Sequence, residues 1–309
     1  MQLATGVKRR KPIRWALYSM LIPGIIIILI YSYGPLLGLG IAFQKYKSGN
    51  GLFGSPWVGF ENFTYIFQLN GFKSALVNTL KISTMKIFFN LIVPIIVAIL
   101  LNEMRGMRYK RFVQTLIYLP FFMSWVIVSG IMSDLLLPST GLVNAAIKAL
   151  GFDPVFFMAD PKVFVGTLVV TDVWKGFGFG TILYLAAITG IDPCLYEAAS
   201  IDGANRFRRM LHITLPGLVP IIILNATLSL GGVLNGGFDQ IVNMYSARVY
   251  AVSDILDTLV YRVGIVGDRT TMPRYEIATA MGLFKSGVSF ILISSAYWAA
   301  HKFANHSIF

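Results

Sequence analysis

The chain has 309 residues, of which 56% are hydrophobic and only 13% charged, and its mean hydropathy is +0.69. A soluble globular domain carries roughly twice that charged fraction, so the composition excludes one and points to an all-α polytopic membrane protein. The net charge of +12 does not mark a nucleic-acid binder, because no basic groove interleaved with aromatics is present and the cations sit beside apolar runs.

Residues 1–14 hold Lys8, Arg9, Arg10, Lys11 and Arg14 ahead of an apolar run from Trp15 to about Phe43. The run is too long for a signal peptide and has no small-residue cleavage site before charge returns, so it reads as a first span anchored inside. Turn-forming residues follow at 48–51 and 54–56. A second span is predicted from about Ala75 to Leu101, with Lys81 and Lys86 in its outer half. A basic loop with Arg105, Arg108, Lys110 and Arg111 leads to a third span from about Phe112 to Ser133. The outer excursion 134–162 includes a short amphipathic helix over 141–150, and a fourth span runs from about Val163 to Thr189.

After the loop 190–216 comes a fifth span, about Gly217 to Leu234, which is short and contains Asn225 and Ser229. It ends among Gly231, Gly232, Gly236 and Gly237. Glycine-interrupted spans mark transport paths, and small residues also simply let helices approach; both readings stand. A long outer segment, 238–276, precedes the sixth span, about Ile277 to Ala300. With six spans in one transmembrane domain, 1–309, the inner segments carry thirteen Lys/Arg and four acids, and the outer segments nine of each. That positive-inside bias puts both termini and the loop 190–216 in the cytoplasm of a multi-pass plasma-membrane protein.

No enzyme constellation is visible. There is no phosphate-binding glycine loop, no Ser-His-Asp arrangement and no pair of carboxylates at the membrane surface. His212, His301 and His306 are not in metal spacing, and the single Cys194 has no partner for an internal disulfide. The chain is therefore expected to hold no cofactor. Charge inside a span is costly and faces a polar pathway or a partner. Asp172 and Lys175, three apart on one helix face, either neutralise each other or line such a path. Trp174 beside them is a stacking or a packing residue. Lys285 lies deep in the sixth span, where it snorkels outward, pairs with Asp172 in competition with Lys175, or leaves the span interior with a positive excess.

The most informative stretch is Glu197 to Pro216, EAASIDGANRFRRMLHITLP, a polar island between apolar segments. It reads as helix, turn, helix, stop: helix formers at Glu197, Ala198 and Ala199 with the acid in a first turn, a backbone reversal at Gly203, and a new helix opened by Pro216. Its pattern EAA-x3-G-x9-I-x-LP resembles the signature loop of permease subunits in binding-protein-dependent ABC importers, with every fixed position filled. Further segments resemble the LplB-type polysaccharide permeases: Val58 to Phe63, Tyr118 to Val126, Trp174 to Thr181, Gly237 to Ile241, and Val260 to Gly264. Phe121 and Lys285 depart from that pattern, where relatives carry histidine and glutamine.

The resemblance implies a type I ABC importer permease fold. It also implies a second permease subunit (a paralogue, forming a heterodimer), two ABC ATPase subunits that hold ATP and Mg, an extracytoplasmic solute-binding protein and a saccharide cargo. Glu197, Ala198, Ala199, Asp202, Gly203, Ala204, Ile213, Leu215 and Pro216 would engage an ATPase, with Glu197 pairing a basic residue there. Asp172, Trp174, Lys175, Asn225, Asn235, Asp239, Gln240 and Lys285 would face the substrate path, where an excess cation at Lys285 would suit an acidic, uronate-containing saccharide. A channel or ion-driven carrier would leave the EAA stretch unexplained, and a membrane enzyme on lipid-linked sugars would need the missing carboxylates. The topology is checked in intact cells with a cysteine-free variant. A new cysteine at Arg208 should resist impermeant thiol reagents and one at Gly151 should react; labelling in the opposite sense would overturn the arrangement.

Overall fold

The computed structural model describes residues 15–267 and 272–304; the basic start at 8–14 and His306 lie outside them, as does the side chain of His301. Among the described residues the fold is helical throughout, with one isolated bridge between Gln44 and Trp57. The first span, Ser19–Phe43, begins in α1 (Trp15–Ile28). It then loosens into a π-turn, Leu29–Tyr33, and tightens into a 3-10 segment, Gly34–Phe43, with a proline at its start. Pro35 has no N–H for the helical ladder, so the backbone changes pitch there rather than continuing. The VGFENF segment has a clear structural task. Asn62, in α2 (Glu61–Gln68), donates from Nδ2 to the carbonyls of Ala42 at 2.8 Å and Gln44 at 2.9 Å, clamping the end of the first span.

The scaffold is the pair α3 (Phe72–Glu103) and α7 (Pro161–Thr189), the most extensive helix pairing in the molecule. Glycines make that approach possible. A Cβ on Gly176 would meet Asn90 at 3.3 Å, and one on Gly180 would meet Pro94 at 3.0 Å, both on α3. Between them Gly178 faces the other way: a Cβ there would sit 2.0 Å from the Ile117 carbonyl oxygen of α4 (Met107–Tyr118).

The third span, expected from about Phe112 to Ser133, is broken. Met107–Phe122 and Trp125–Leu135, the latter α5, meet at 105°, so six spans are counted only when this pair is taken as one. Pro120 interrupts the hydrogen-bond ladder within a 3-10 turn, Leu119–Phe122. Ser124 is extended, and its Oγ accepts from the Ile127 N–H at 3.4 Å to start α5 afresh. The outer excursion holds α6 (Leu142–Ala149) as expected, tied down by the buried Asn144, which donates to the Leu136 and Val155 carbonyls at 3.0 Å each.

Two further expectations are corrected. The fifth span does not begin at Gly217: α8 (Pro193–Ile201) turns into α9 (Arg206–Arg209), which runs through a π-turn into α10 (Leu215–Gly231), so Arg206–Gly231 is one 26-residue helical rod. And 238–276, read only as a long outer segment, contains packed helices. Its helices α11 (Phe238–Met244) and α12 (Leu256–Tyr261) bury Ile241, Met244, Leu256 and Leu259 against α3, α5, α7 and the last helix, α13 (Tyr275–Ala304). Their alternation of apolar and polar residues buries one side of each helix, which hydropathy averaged over a long window hides. The packing at Gly178 generates a sharp expectation. Gly178→Ala should destabilise the fold by about 1–3 kcal/mol, because a carbonyl cannot yield as a flexible side chain does. Thermal unfolding in detergent should show a clear fall in melting temperature, whereas Gly130→Ala, where a Cβ meets nothing within 4 Å, should not.

Candidate functional site

The loop 190–216 is built by local rules. Asp192 caps α8, its Oδ1 accepting from the Cys194 N–H at 2.9 Å, with Pro193 in the first turn. No acid lies in the first turn of α8: Asp192 is its N-cap, and Glu197 lies mid-helix and exposed, which corrects its expected place. α8 ends in a Schellman motif: Ala204 N–H donates to the Ala199 carbonyl at 2.9 Å and Gly203 N–H to Ser200 at 3.2 Å. Gly203 has φ +73°, a left-handed conformation that a side-chain-bearing residue adopts only with strain. The spacing of the EAA pattern is therefore the spacing of a helix C-terminus and its αL cap.

Asn205 then starts α9, its Oδ1 accepting from Arg208 N–H at 2.9 Å, and Tyr196 Oη and Thr214 Oγ1 close the two arms at 2.9 Å. Behind the turn, Leu218 is fully buried with Ala98, Tyr184 and Ile188. Arg206 reaches Glu103 at 3.9 Å, beside a cleft of about 710 Å³ that Glu197 and Arg209 also line. The knob's outer surface is unusually apolar for an exposed turn: Ile201 is 87% and Phe207 65% exposed. Ala198, Asp202 and Pro216 are exposed, and Ile213 and Leu215 half-buried.

Inside the membrane the charges pair differently from the sequence expectation. Asp172 does not neutralise Lys175. It faces Lys86 of α3 at 3.2 Å and accepts from Asn90 Nδ2 at 2.8 Å. The buried Lys86 also donates to the Gly236 carbonyl at 2.9 Å and to Gln240 Oε1. Gln240, fully buried, donates in turn to the Leu168 carbonyl at 2.7 Å and Thr171 Oγ1 at 2.8 Å. Its amide is thereby engaged on both sides, so Gln240 belongs to the scaffold rather than to a substrate surface. Residues three apart on a helix can share a face, but a cross-helix partner at the right depth wins when it brings further hydrogen bonds.

Lys285 likewise is not an unpaired excess: its Nζ lies 2.6 Å from Asp257 Oδ1 on α12, an acid the sequence places outside. Asp257 borders an open cleft of about 720 Å³ with Phe238, Tyr261 and Tyr275. Lys175 turns away from Asp172, donates to the Phe121 carbonyl at 2.9 Å, and lies 5.3 Å from the Phe121 ring and 5.4 Å from Trp125. Trp174, Asn235 and Asp239 are exposed, and Asn225 donates to Tyr184 Oη at 3.0 Å between α7 and α10. Sequence reasoning missed Lys86, Asn90 and Asp257 as functional partners. The signal for Lys86 was present, a lysine within an apolar run; that for Asp257 was not, because its segment reads as a loop.

The family described as binding-protein-dependent transport system inner membrane component matches residues 90–238. Protein LplB of Bacillus subtilis (strain 168) is 43% identical over 296 residues, 96% of this chain and 91% of that protein. The polygalacturonan/rhamnogalacturonan transport system permease protein YteP of the same organism is 40% identical over 95% of this chain and 90% of its own length. The fold superposes with a TM-score of 0.84 and 38% identity on a chain of a bacterial alginate ABC transporter, solved in complex with alginate pentasaccharide-bound periplasmic protein. The match covers 95% of this chain and 96% of that one.

The buried pair makes a coupling prediction. Lys86→Met alone or Asp172→Asn alone should each cost about 3–5 kcal/mol, since each strands the other member's charge or hydrogen bonds. The double variant should melt closer to wild type than the sum of the two falls. Strictly additive melting shifts in detergent would mean that the two side chains act independently.

Proposed function

The chain belongs to the binding-protein-dependent transport system inner membrane component family, and from that premise we propose that it is one permease subunit of an ATP-driven importer for an acidic oligo- or polysaccharide. It resides in the inner membrane as a multi-pass helical protein and works as a transport permease. The cargo class rests on two relatives named for polygalacturonan and alginate transport, both polymers of uronates. Aromatic side chains beside open clefts, as at Phe238, Tyr261 and Tyr275, suit the apolar faces of sugar rings.

The observation that carries the mechanism is the exposed knob 192–216 fused to a continuous rod. ATP, with Mg, is bound and hydrolysed on two separate ATPase subunits, and each knob of a permease pair seats on one of them. The paired permease is a paralogue, and a periplasmic binding protein delivers the saccharide. Ile201 and Phe207 supply the apolar contact and Glu197 the charged one. Because Arg206–Gly231 is one helix, about 39 Å long at about 1.5 Å per residue, a displacement of the knob is carried across the bilayer as a rigid-body movement. Its far end is the glycine turn held by Lys86 through Gly236. The cargo then passes when the two permeases exchange inward- and outward-facing states.

The test uses the assembled importer in proteoliposomes. Glu197→Lys and Gly203→Val should leave the permease inserted but reduce ATP-driven uptake to a few per cent of wild type. Gly203→Val acts through strain at φ +73° and Glu197→Lys through lost ATPase engagement. Normal uptake by the Glu197→Lys complex, with its ATPase subunits retained, would overturn the coupling role.

A further inference from the structure

Lys175 is the middle residue of the 29-residue α7. About 21 Å of helix separates it from either end at about 1.5 Å per residue, beyond the reach of a four-carbon stem toward either interface. Lys81, by contrast, is exposed in the outer third of the 32-residue α3, a helix longer than the roughly 30 Å hydrocarbon layer, so it lies near a headgroup boundary. Among the described residues no carboxylate pairs with Lys175: Asp172 is held by Lys86 at 3.2 Å and Asn90 at 2.8 Å, and Asp257 is held by Lys285 at 2.6 Å. The charge excess of the span interior therefore sits at Lys175, not at Lys285.

What surrounds Lys175 orients its ammonium without cancelling its charge. One N–H goes to the Phe121 carbonyl at 2.9 Å, and the Phe121 and Trp125 rings lie within 5.4 Å. Phe121 is itself fixed by stacking on Phe179, 4.2 Å between centroids at 6°. The Phe121 carbonyl is available because the third span breaks there, so the bend and the cation are parts of one arrangement. Trp174, beside it, is 37% exposed. A half-buried ammonium at mid-depth is incompatible with a lipid-facing surface, so this surface meets water or an opposite charge.

We propose that Lys175, on its platform of Phe121 and Trp125, is the residue of the passage that reads the cargo's carboxylate. This rests on the importer reading above. The two ammonium hydrogens not bonded to Phe121 pair with one uronate carboxylate at a time, while the neighbouring aromatic rings lie along the sugar's apolar face. A single unpaired cation in a passage of low dielectric favours an anionic chain over a neutral one and still releases it, since one contact is exchanged for the next.

The experiment measures ATP-driven uptake of labelled galacturonate and alginate oligomers by the complete importer in proteoliposomes, with subunit co-purification and binding-protein-stimulated ATP hydrolysis as parallel readouts. Lys175→Gln should lower uptake of the acidic oligomers at least tenfold, with assembly and stimulated hydrolysis retained. Lys175→Arg, which keeps the charge, should retain a third or more of wild-type uptake. Wild-type uptake by Lys175→Gln would overturn the proposal and leave the importer reading standing. An equal loss in Lys175→Arg would also overturn it, assigning the residue to packing. Loss of the second permease from the purified Lys175→Gln complex would overturn it as well, because the ammonium's counter-charge would then be in that subunit. Failure of the wild-type importer to take up either oligomer would overturn the acidic-cargo reading and this proposal together.

Discussion

A charge cannot be left alone in hydrocarbon, and the interior of this protein is arranged around that constraint. Lys86 and Asp172 meet between the two longest-paired helices at 3.2 Å. Their attraction alone would not offset the desolvation of both ions; the remaining hydrogen bonds, to Asn90, Gly236 and Gln240, satisfy the rest of their donors and acceptors. Through these bonds one lysine joins α3, α7, the glycine turn at the far end of α10, and α11. Gly237, at φ +88°, lies so close that a Cβ there would meet the Lys86 ammonium at 2.5 Å, so the turn is shaped to the cation.

The same network joins a tightly packed helix pair to the long rod beside it. The α3–α7 pair, sealed by glycines against Asn90, Pro94 and Ile117, has little freedom to slide, because close-packed interiors transmit displacement instead of absorbing it. The rod Arg206–Gly231 is attached at both of its ends: to the knob through Asn205 and the Tyr196–Thr214 contact, and to the scaffold through Gly236. The change of pitch in the π-turn Met210–Thr214 lies at the knob end of the rod.

The knob 192–216 and the membrane cluster follow different logics. The knob is specified locally, by caps at Asp192 and Asn205 and an αL residue at Gly203, each acting within five residues of sequence. A local code suits a surface that keeps one shape while its neighbours move. The cluster is specified by residues as far apart as Lys86 and Gln240, which only the folded bundle brings together.

Sequence alone determined the membrane class and the knob. Hydropathy is a sum over many residues, and a glycine-terminated helix is set by neighbours in the chain. The α6 helix and the end of α7 at Thr189 were legible for the same reason. Only the tertiary structure decided which charge meets which. Helical spacing put Asp172 and Lys175 on one face, but the depth at which α3 crosses α7 presented Lys86 with three partners, Asp172, Gly236 and Gln240, and so freed Lys175. It also decided that 238–276 folds back to supply Gln240 and Asp257, and that the third span breaks at Pro120. A polar segment's place depends on what it can bond to in three dimensions, and that information is not carried by any window of its own sequence.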